Sequence, residues 1–354
     1  MKRLVIAIAV GLVAVGVAVT AAVAKPAKKS AAADVCVLLP DTKSSVRWEQ
    51  FDRPYIDAAL KKAGVSHTIA NALGDPQKQK SQADQCLANG AKIVIVVSLD
   101  PGSSIAIEKA AAAKGAKSID YDRQVVGGIA SAYVTFDGNQ VGVLQAKGVI
   151  AGLKANGKYS QKPVVAELNG GNTDQNSFWF KGGYDSVLKP LYANGTFTKG
   201  PDQFVPQWDN PTGGKIFEQM LVKTGNKIDG VVAANDGLAN AVVVALKSHK
   251  LKPLPLSGQD ATAQGVQNVI SGWQTMTVYK QVPKEANGVA ATAIALLKGT
   301  KLPVNSFRLN GKKKEPTYVI PVLSINKSNY TILFKEKFLK RSEVCIGAYA
   351  KYCK

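Results

Sequence analysis

Residues 92–98 have the sequence KIVIVVS, in which no polar residue alternates with the apolar ones of IVIVV. A strand of this kind buries both of its faces, because a strand with one face in water shows alternation. The run VCVLLP at residues 35–40 has the same character. Both runs therefore predict strands of a parallel sheet that is covered by helices on each side.

Outward from these two runs, strand and helix patterns alternate along the first half of the chain. Further strands are predicted at residues 66–70, 117–121 and 131–137. Helical patterns lie at residues 48–63, 77–88 and 103–113. This alternation is typical of a doubly wound α/β fold.

The alternation restarts in the second half, after a helix predicted at residues 140–153 and the polar loop KANGKYSQK. Strands are predicted at residues 163–169, 202–208, 229–235, 254–260 and 275–280. Helices are predicted at residues 176–188, 211–224, 237–249, 262–271 and 284–297. The runs YVIPVLSI and YTILF predict two strands near the C-terminus.

We therefore predict an α/β fold of two doubly wound parallel-sheet lobes, joined by a multi-strand hinge. The first lobe is expected to take residues 34–138 and about 281–315, and the second residues 139–280 and about 316–354. Ligands of open α/β sheets bind beyond the carboxyl ends of the strands. Two such lobes predict a ligand cleft between them.

The N-terminal segment differs in kind from the rest. A positive start is followed by residues 4–24 without charge, which end in the small-x-small sequence Ala22-Val23-Ala24. This pattern predicts a signal peptide at residues 1–24 and a Lys/Ala/Pro-rich tether at residues 25–33. The apolar run is also long enough to span a bilayer, so an uncleaved membrane anchor is the alternative. We expect an exported protein in the periplasm or at the exterior of the cell envelope.

Four cysteines follow the export signal, and an even number in an oxidising compartment favours disulfides over metal ligands. The short C-terminal spacing predicts a Cys345–Cys353 bridge, which leaves Cys36 to pair with Cys86. The alternative for the second pair is that both are small buried side chains.

The formal net charge is +20, from 45 Lys and Arg against 25 Asp and Glu. A charge of this size raises nucleic acid as a partner. The lysine-rich runs GKKKEP and KEKFLKR do not interleave aromatic residues on a strand, and the chain carries an export signal. We therefore expect no nucleic-acid partner, and attraction to an anionic cell envelope is the simpler consequence of the charge.

Polar and aromatic residues follow the predicted strand ends in both halves, so they are expected at one edge of each sheet. In the first half these are Asp41, Arg47, Trp48, Asp122, Arg123 and Asp137. In the second half they are Asn172, Asp174, Asn176, Trp208, Asn235, Asp236, Gln259, Asp260, Tyr279 and Lys280. Such a lining suits a sugar, since each hydroxyl donates and accepts while the C–H faces pack on aromatic rings.

Singly, each of these residues has a plainer interpretation. Asn176 and other residues at strand-to-helix turns are often helix caps. Trp48 and Trp208 are large enough to belong to the core. Asp122 and Arg123 could form an internal ion pair with no ligand. Only their collective placement favours binding.

Catalysis has little support in the sequence. The two histidines, His67 and His249, have no neighbouring nucleophile and no metal-ligand spacing. No G-x-S-x-G, P-loop or G-x-G-x-x-G motif follows a predicted strand. A glycosidase would need a pair of carboxyl groups, but the candidate acids each have Arg, Asn or Lys nearby, which favours ionised acceptors. We expect no enzyme activity, no cofactor and no metal.

Six stretches match one known family: RW at residues 47–48, DYDR at 120–123, FDGNQVGVLQAK at 136–147, VVAAND at 231–236, SGQDA at 257–261 and QTMTVYK at 274–280. On these motifs the chain resembles the type I periplasmic sugar-binding proteins of bacterial ABC importers, in particular the D-xylose-binding branch. The resemblance covers residues 35–325.

The resemblance implies a monomeric receptor that captures a monosaccharide and delivers it to the membrane permease of an ABC importer. It also implies the ligand set Arg47, Trp48, Asp122, Arg123, Asn176, Trp208, Asn235, Asp260 and Lys280; Asp137 is included from its strand-end position. Gly138 stands where relatives commonly carry Asn, next to the first crossover between lobes. The alternatives are a receptor for a membrane sensor or chemoreceptor, and a binder of arabinose, ribose or glucose.

Overall fold

The computed structural model describes residues 33–353. The expected signal peptide, and all but the last residue of the expected tether, lie outside the described residues. Within the described part of the chain, no helix combines the length and the apolar character that crossing a membrane requires.

The strands, in chain order, are β1 Val35–Leu39, β2 His67–Asn71, β3 Ile93–Val96, β4 Lys117–Tyr121, β5 Ala132–Phe136, β6 Val164–Asn169, β7 Thr198–Phe204, β8 Gly230–Ala233, β9 Met276–Tyr279, β10 Ser306–Asn310, β11 Lys313–Ile320 and β12 Leu323–Asn326. The α-helices are α1 Arg53–Lys62, α2 Pro76–Ala88, α3 Pro101–Ala113, α4 Gly138–Ala155, α5 Gln175–Ala193, α6 Asn210–Lys223, α7 Asp236–Ser248, α8 Ala263–Ser271, α9 Val282–Lys298, α10 Ile332–Lys335 and α11 Arg341–Val344.

The first sheet has the strand order β10-β11-β5-β4-β3-β1-β2. All of its neighbouring strands are parallel except the hairpin β10–β11. Every residue of β1 and β3 is buried, which confirms the two-sided burial predicted from the apolar runs. Helix α9 returns from the C-terminal half of the chain to pack on this sheet and on α1.

The second sheet has the parallel order β7-β6-β8, and β9 pairs with β12 beside it. Single bridges link Val231 of β8 to Leu256 and Gln259 to Val278 of β9, so the two parts are nearly continuous. The prediction of a regular strand at residues 254–260 is therefore wrong. The pairing of this segment is limited to these bridges.

Two other strand predictions were wrong. The predicted strand at residues 202–208 starts earlier, at Thr198, and ends before Pro206, where a 3₁₀ turn carries Trp208. Proline has no N–H to donate to a neighbouring strand, which stops the pairing there. The predicted YTILF strand is not formed, and this run instead leads into the short helix α10. Tyr330 and Leu333 are three residues apart, which places both side chains on one face of a helical turn, and both pack in the same buried cluster.

The chain passes between the two sheets three times: from β5 to α4, from β9 to α9 and from β11 to β12. The fold is thus two α/β lobes joined by a multi-strand hinge, as predicted. The residues at which each lobe begins and ends stay a prediction.

Two disulfides tie local elements together. Cys36 of β1 bonds to Cys86 of α2, and Cys345 bonds to Cys353 in the C-terminal segment. These are the pairings that the spacing suggested. The first joins residues 50 apart in sequence and the second joins residues 8 apart.

We expect the Cys36→Ser/Cys86→Ser variant to lose about 4 kcal/mol of unfolding free energy, and Cys345→Ser/Cys353→Ser about 2.5 kcal/mol, because a longer closed loop restricts the unfolded chain more. Urea denaturation of both variants and the parent measures this. An equal loss in the two variants would contradict the loop-length explanation. Thiol titration of the unreduced, denatured parent should find no free thiol.

Candidate functional site

A small cavity lies where the carboxyl ends of the two sheets face each other, and its volume is about 20 Å³. Its lining consists of Ser44, Ser45, Arg47, Trp48, Asp122, Arg123, Asp174, Asn176, Phe180, Trp208, Asn235, Gln259, Asp260 and Lys280. Nine of the ten ligand residues named from the sequence are in this set. The tertiary fold therefore brings them into one site.

Asp137 is the residue that the structure places elsewhere. Its side chain is 43% exposed, and it caps α4 by accepting a hydrogen bond from the Gln140 backbone N–H. It also lies 3.7 Å from Arg308 of β10. Its position directly after β5 made it a candidate, but the turn into α4 directs its carboxylate to the helix end.

Arg47 and Trp48 come from the turn that follows β1. Arg47 is 1% exposed, and its Nη1 donates to Asp122 Oδ2 at 2.6 Å. The Trp48 indole donates to the Ser44 hydroxyl at 3.0 Å, and the guanidinium groups of Arg47 and Arg123 lie over its ring. Trp48 is thus a wall that orients both arginines.

Asp122 and Arg123 follow β4 and have different partners, so the internal pair considered from the sequence does not form. Arg123 Nε lies 3.0 Å from Asp174 Oδ2, across the cavity, and its Nη2 donates to the Ser44 hydroxyl. Asp122 binds Arg47 on one oxygen and accepts from Asn176 Nδ2 on the other at 3.1 Å.

The second lobe contributes Asn176 from the first turn of α5, Trp208 from the end of the 3₁₀ turn at residues 206–208, and Asn235 from the N-cap of α7. Trp208 is 6% exposed; its indole donates to Asp174 Oδ2 at 3.1 Å and packs edge-on against Phe180. A side chain at Gly170 would collide with the Trp208 ring, so a glycine is required there. Trp208 is therefore both packed and part of the cavity wall.

Asn235 shows that a helix cap and a cavity residue can be the same side chain. Its Oδ1 accepts from the Leu238 backbone N–H at the start of α7. Its Nδ2 donates to the Ser44 carbonyl of the first lobe at 3.0 Å. The cap interpretation and the site interpretation are both right for this residue.

Lys280 and Asp260 form the ion pair nearest to the hinge. Lys280 Nζ lies 2.8 Å from Asp260 Oδ1 and 4.2 Å from the centre of the Phe136 ring. Burial would raise the pKa of Asp260, but the charges of Lys280 and Arg47 lower it below its usual value. Asp260 is therefore a carboxylate, which also accepts from the Ser45 hydroxyl at 2.8 Å.

Burial raises the pKa of Asp174, and the charge of Arg123 offsets only part of that rise. Asp174 caps α5 through the Asn176 backbone N–H as well as binding Arg123 and Trp208. It was noted in the sequence but not chosen as a ligand residue, and the structure makes it a lining residue.

Ser44, Ser45 and Phe180 were missed from the sequence. The serines lie in the same short segment as Arg47 and Trp48, and this shared segment was the available signal. Phe180 is four residues after Asn176 in α5, so it lies on the same helix face. Neither the shared segment nor the four-residue helical spacing identifies a cavity residue unless the fold is known.

Two buried oxygen atoms of the cavity residues have no hydrogen-bond donor among residues 33–353: Asn176 Oδ1 and Gln259 Oε1. A buried acceptor without a partner is costly, so native proteins rarely keep one. These two oxygens are suited to accept hydrogen bonds from a ligand that carries hydroxyl or amine donors.

Several residues around the cavity have a positive φ although they are not glycine: Asp122, Gln207, Trp208, Asp260, Ala261 and Gln281. Such conformations are disfavoured for L-residues, and packing must hold them. Their concentration at the cavity and the hinge is typical of a functional site. No group of His, Cys, Asp or Glu within residues 33–353 is arranged to hold a metal ion.

A two-lobed fold with a buried polar cavity at the sheet ends defines a solute-binding protein. A family model for the periplasmic binding protein domain matches residues 35–301, and the chain belongs to this family. The family consists of solute-binding proteins rather than enzymes.

Two of the relatives whose names state a ligand cover most of this chain. The D-xylose-binding periplasmic protein of Escherichia coli (strain K12) is 31% identical over 84% of this chain and 88% of its own length. The multiple sugar-binding periplasmic receptor ChvE of Rhizobium radiobacter is 30% identical over 90% of this chain and 92% of its own.

A similar solved structure is the carbohydrate transporter solute-binding protein of Chloroflexus aurantiacus in complex with D-glucose. It has a TM-score of 0.79 and 28% identity, and the match covers 88% of this chain and 98% of that one. The fold is therefore the type I periplasmic-binding-protein fold that the sequence motifs suggested.

Burial raises the pKa of Asp236, beside the cavity, to about 7. The Asp236 carboxyl group therefore binds a proton more tightly in the folded state than in the unfolded state. This proton binding contributes fully to the free energy of unfolding below about pH 4, and the contribution falls as the pH rises to about 7. In Asp236→Asn this dependence is absent. We expect the variant to gain up to about 4 kcal/mol relative to the parent between pH 4 and 8.

Urea denaturation of the parent and of Asp236→Asn at a series of pH values measures this difference. Asp229→Asn is a suitable control, because Asp229 binds Lys158 at the far end of β8. A constant difference between Asp236→Asn and the parent across the pH range would show that Asp236 is ionised in the fold.

Proposed function

We propose that this protein captures a single aldose, D-xylose above others, between its two lobes and delivers it to the membrane permease of an ABC importer. The observation that carries the proposal is the buried cavity in which two unpartnered acceptors accompany charged donors and two tryptophan rings. A sugar matches this lining because each of its hydroxyls can donate and accept at once.

The preference for xylose is supported by two relatives. The D-xylose-binding proteins of Escherichia coli and Haemophilus influenzae are both 31% identical to this chain over most of its length. Related proteins that bind glucose or several sugars make other aldoses the main competitors. The orientation of single hydroxyl groups decides between these sugars, so a direct comparison is required.

Ligand capture is proposed to work by closing the lobes. Ser45 binds Asp260, Asn235 binds the Ser44 carbonyl, and Arg123 binds Asp174, each across the cavity. A sugar that bonds to both lobes adds to these contacts only in the closed form, so it shifts the population toward closure. The closed form would then be the one that the permease recognises.

Export is part of the proposal. The charged start and apolar run of residues 1–24 support a cleaved signal peptide, and the relatives are periplasmic by name. A monomer is proposed, since one chain supplies the complete cavity.

The exported protein, unfolded and refolded to remove retained sugar, should bind D-xylose with 1:1 stoichiometry and melt at a higher temperature in its presence. Isothermal titration against xylose, arabinose, ribose and glucose measures both the binding and the order of preference. Absence of heat with every pentose and hexose would refute the sugar assignment. If glucose bound most tightly, the assignment as a sugar-binding protein would stand, but the preference for xylose would be refuted.

Removing one polar partner of the sugar should weaken binding by about 1–3 kcal/mol, because a buried hydroxyl loses its hydrogen bond. We expect this loss in Arg123→Ala and Asp260→Ala, and a similar loss in Trp208→Ala because the sugar ring loses an aromatic face on which to pack. Calorimetry measures the sugar affinity of each variant. Asp137→Ala is the matched control, since it removes a helix cap outside the cavity and should lower only the melting temperature. Unchanged affinity in all three cavity variants would mean that this cavity is not the sugar site.

A further inference from the structure

The side-chain donors of Arg47 are almost fully used by the protein itself. A guanidinium group has five N–H donors. Nε and Nη2 bind the two oxygens of Asp52 at 2.8 and 2.6 Å, Nη1 binds Asp122 at 2.6 Å, and Nη2 also binds Glu285 at 2.7 Å. One N–H, on Nη1, is left for a ligand. The position of Arg47 therefore depends on three carboxyl groups more than on any sugar.

Glu285 is the partner whose place in the fold is unusual. It lies in the first turn of α9, just after the chain crosses from β9 of the second lobe to the first. Lys280 of the cavity and Gln281, with a φ of 41°, form the crossing itself. Glu285 is fully buried and does not line the cavity. It thus connects the hinge to Arg47 without access to the ligand.

We propose that Glu285 is a positioning residue that fixes Arg47, and through it Asp122, in the sugar cavity. The carboxyl group holds Nη2, while Asp52 holds the opposite side of the guanidinium group. Together they direct the remaining Nη1 toward Asp122 and the cavity. This inference rests on the proposed function, because it assigns Glu285 an effect on sugar affinity.

The charges around Glu285 indicate how it acts. Burial raises the pKa of Glu285 well above its usual range; the charges of Arg47 and Lys280 oppose this rise, and those of Asp122 and Asp52 add to it. Its Oε2 accepts a hydrogen bond from Arg47 Nη2 at 2.7 Å. Glutamine has nearly the same shape and keeps an oxygen that can accept from Arg47, so it can take the place of the carboxyl group. Leucine fills the space but offers no acceptor.

The test compares Glu285→Gln and Glu285→Leu in the exported, refolded protein. We expect Glu285→Gln to bind D-xylose within about threefold of the parent and Glu285→Leu to bind about 10- to 100-fold more weakly, the range for losing a hydrogen bond to a charged group. Glu167→Leu is the control, because Glu167 is a buried glutamate that binds Lys181 in the second lobe, outside the cavity. It should lower the melting temperature and leave the affinity unchanged.

A double-mutant cycle separates positioning from general loss of stability. The effects of Glu285→Leu and Asp122→Asn on affinity should be less than additive, because both act through Arg47, whereas those of Glu285→Leu and Trp208→Ala should add. Parent-like affinity in Glu285→Leu with a lower melting temperature would overturn the inference. So would equal losses in the Gln and Leu variants.

A readout without sugar distinguishes failure of this inference from failure of the proposed function. The Arg47 side-chain ¹⁵Nε resonance, assigned with Arg47→Lys, should shift in Glu285→Leu and keep its position in Glu285→Gln. If the parent binds no sugar, the proposed function fails, and this resonance still shows whether Glu285 positions Arg47. An unchanged resonance in Glu285→Leu would refute the positioning role by itself.

Discussion

The buried guanidinium group of Arg47 is the interaction on which the arrangement of the site depends. A charge that is removed from water costs several kcal/mol unless it is fully paired, so Arg47 can be buried only where carboxyl groups surround it. Those groups come from three separate elements: Asp52 before α1, Asp122 after β4 and Glu285 at the start of α9. The first sheet and the hinge must therefore be in register before this side chain can be buried. Tyr121 adds a hydrogen bond to Asp52 at 2.6 Å and completes the pairing.

The same demand for pairing explains why the cavity is small and polar. Side chains from the two lobes bind each other directly, as Arg123 does with Asp174 and Ser45 with Asp260. Each is a group that would be costly to bury alone. In the capture mechanism that we propose, solute recognition and lobe closure depend on the same atoms, because a ligand would supply partners for acceptors that the protein leaves unpaired, such as Asn176 Oδ1.

Errors in the sequence-based prediction have local physical causes. Asp137 follows a strand as Asp122 does, yet the chain after Asp137 turns at once into α4, and the carboxylate caps that helix. Asp122 itself has a positive φ, and its carboxylate lies in the cavity lining. Residues 254–260 lie beside β8 and β9 as a strand would, but they pair only through single bridges, at Leu256 and Gln259. Backbone conformations of this kind are set by packing and cannot be recognised from residue type.

The sequence by itself determined the α/β class and the two-lobed organisation, because burial on both faces of a strand is a local property of the chain. The resemblance of its motifs added the family and pointed to nine residues that the fold brings to one cavity. Only the tertiary structure decided the partners of each side chain: that Asp122 pairs with Arg47 rather than with its neighbour Arg123, and that Glu285, more than 200 residues away in sequence, holds the same guanidinium group. Such pairings are set by distances between elements that are far apart along the chain, and these distances exist only once the sheets and the hinge have packed.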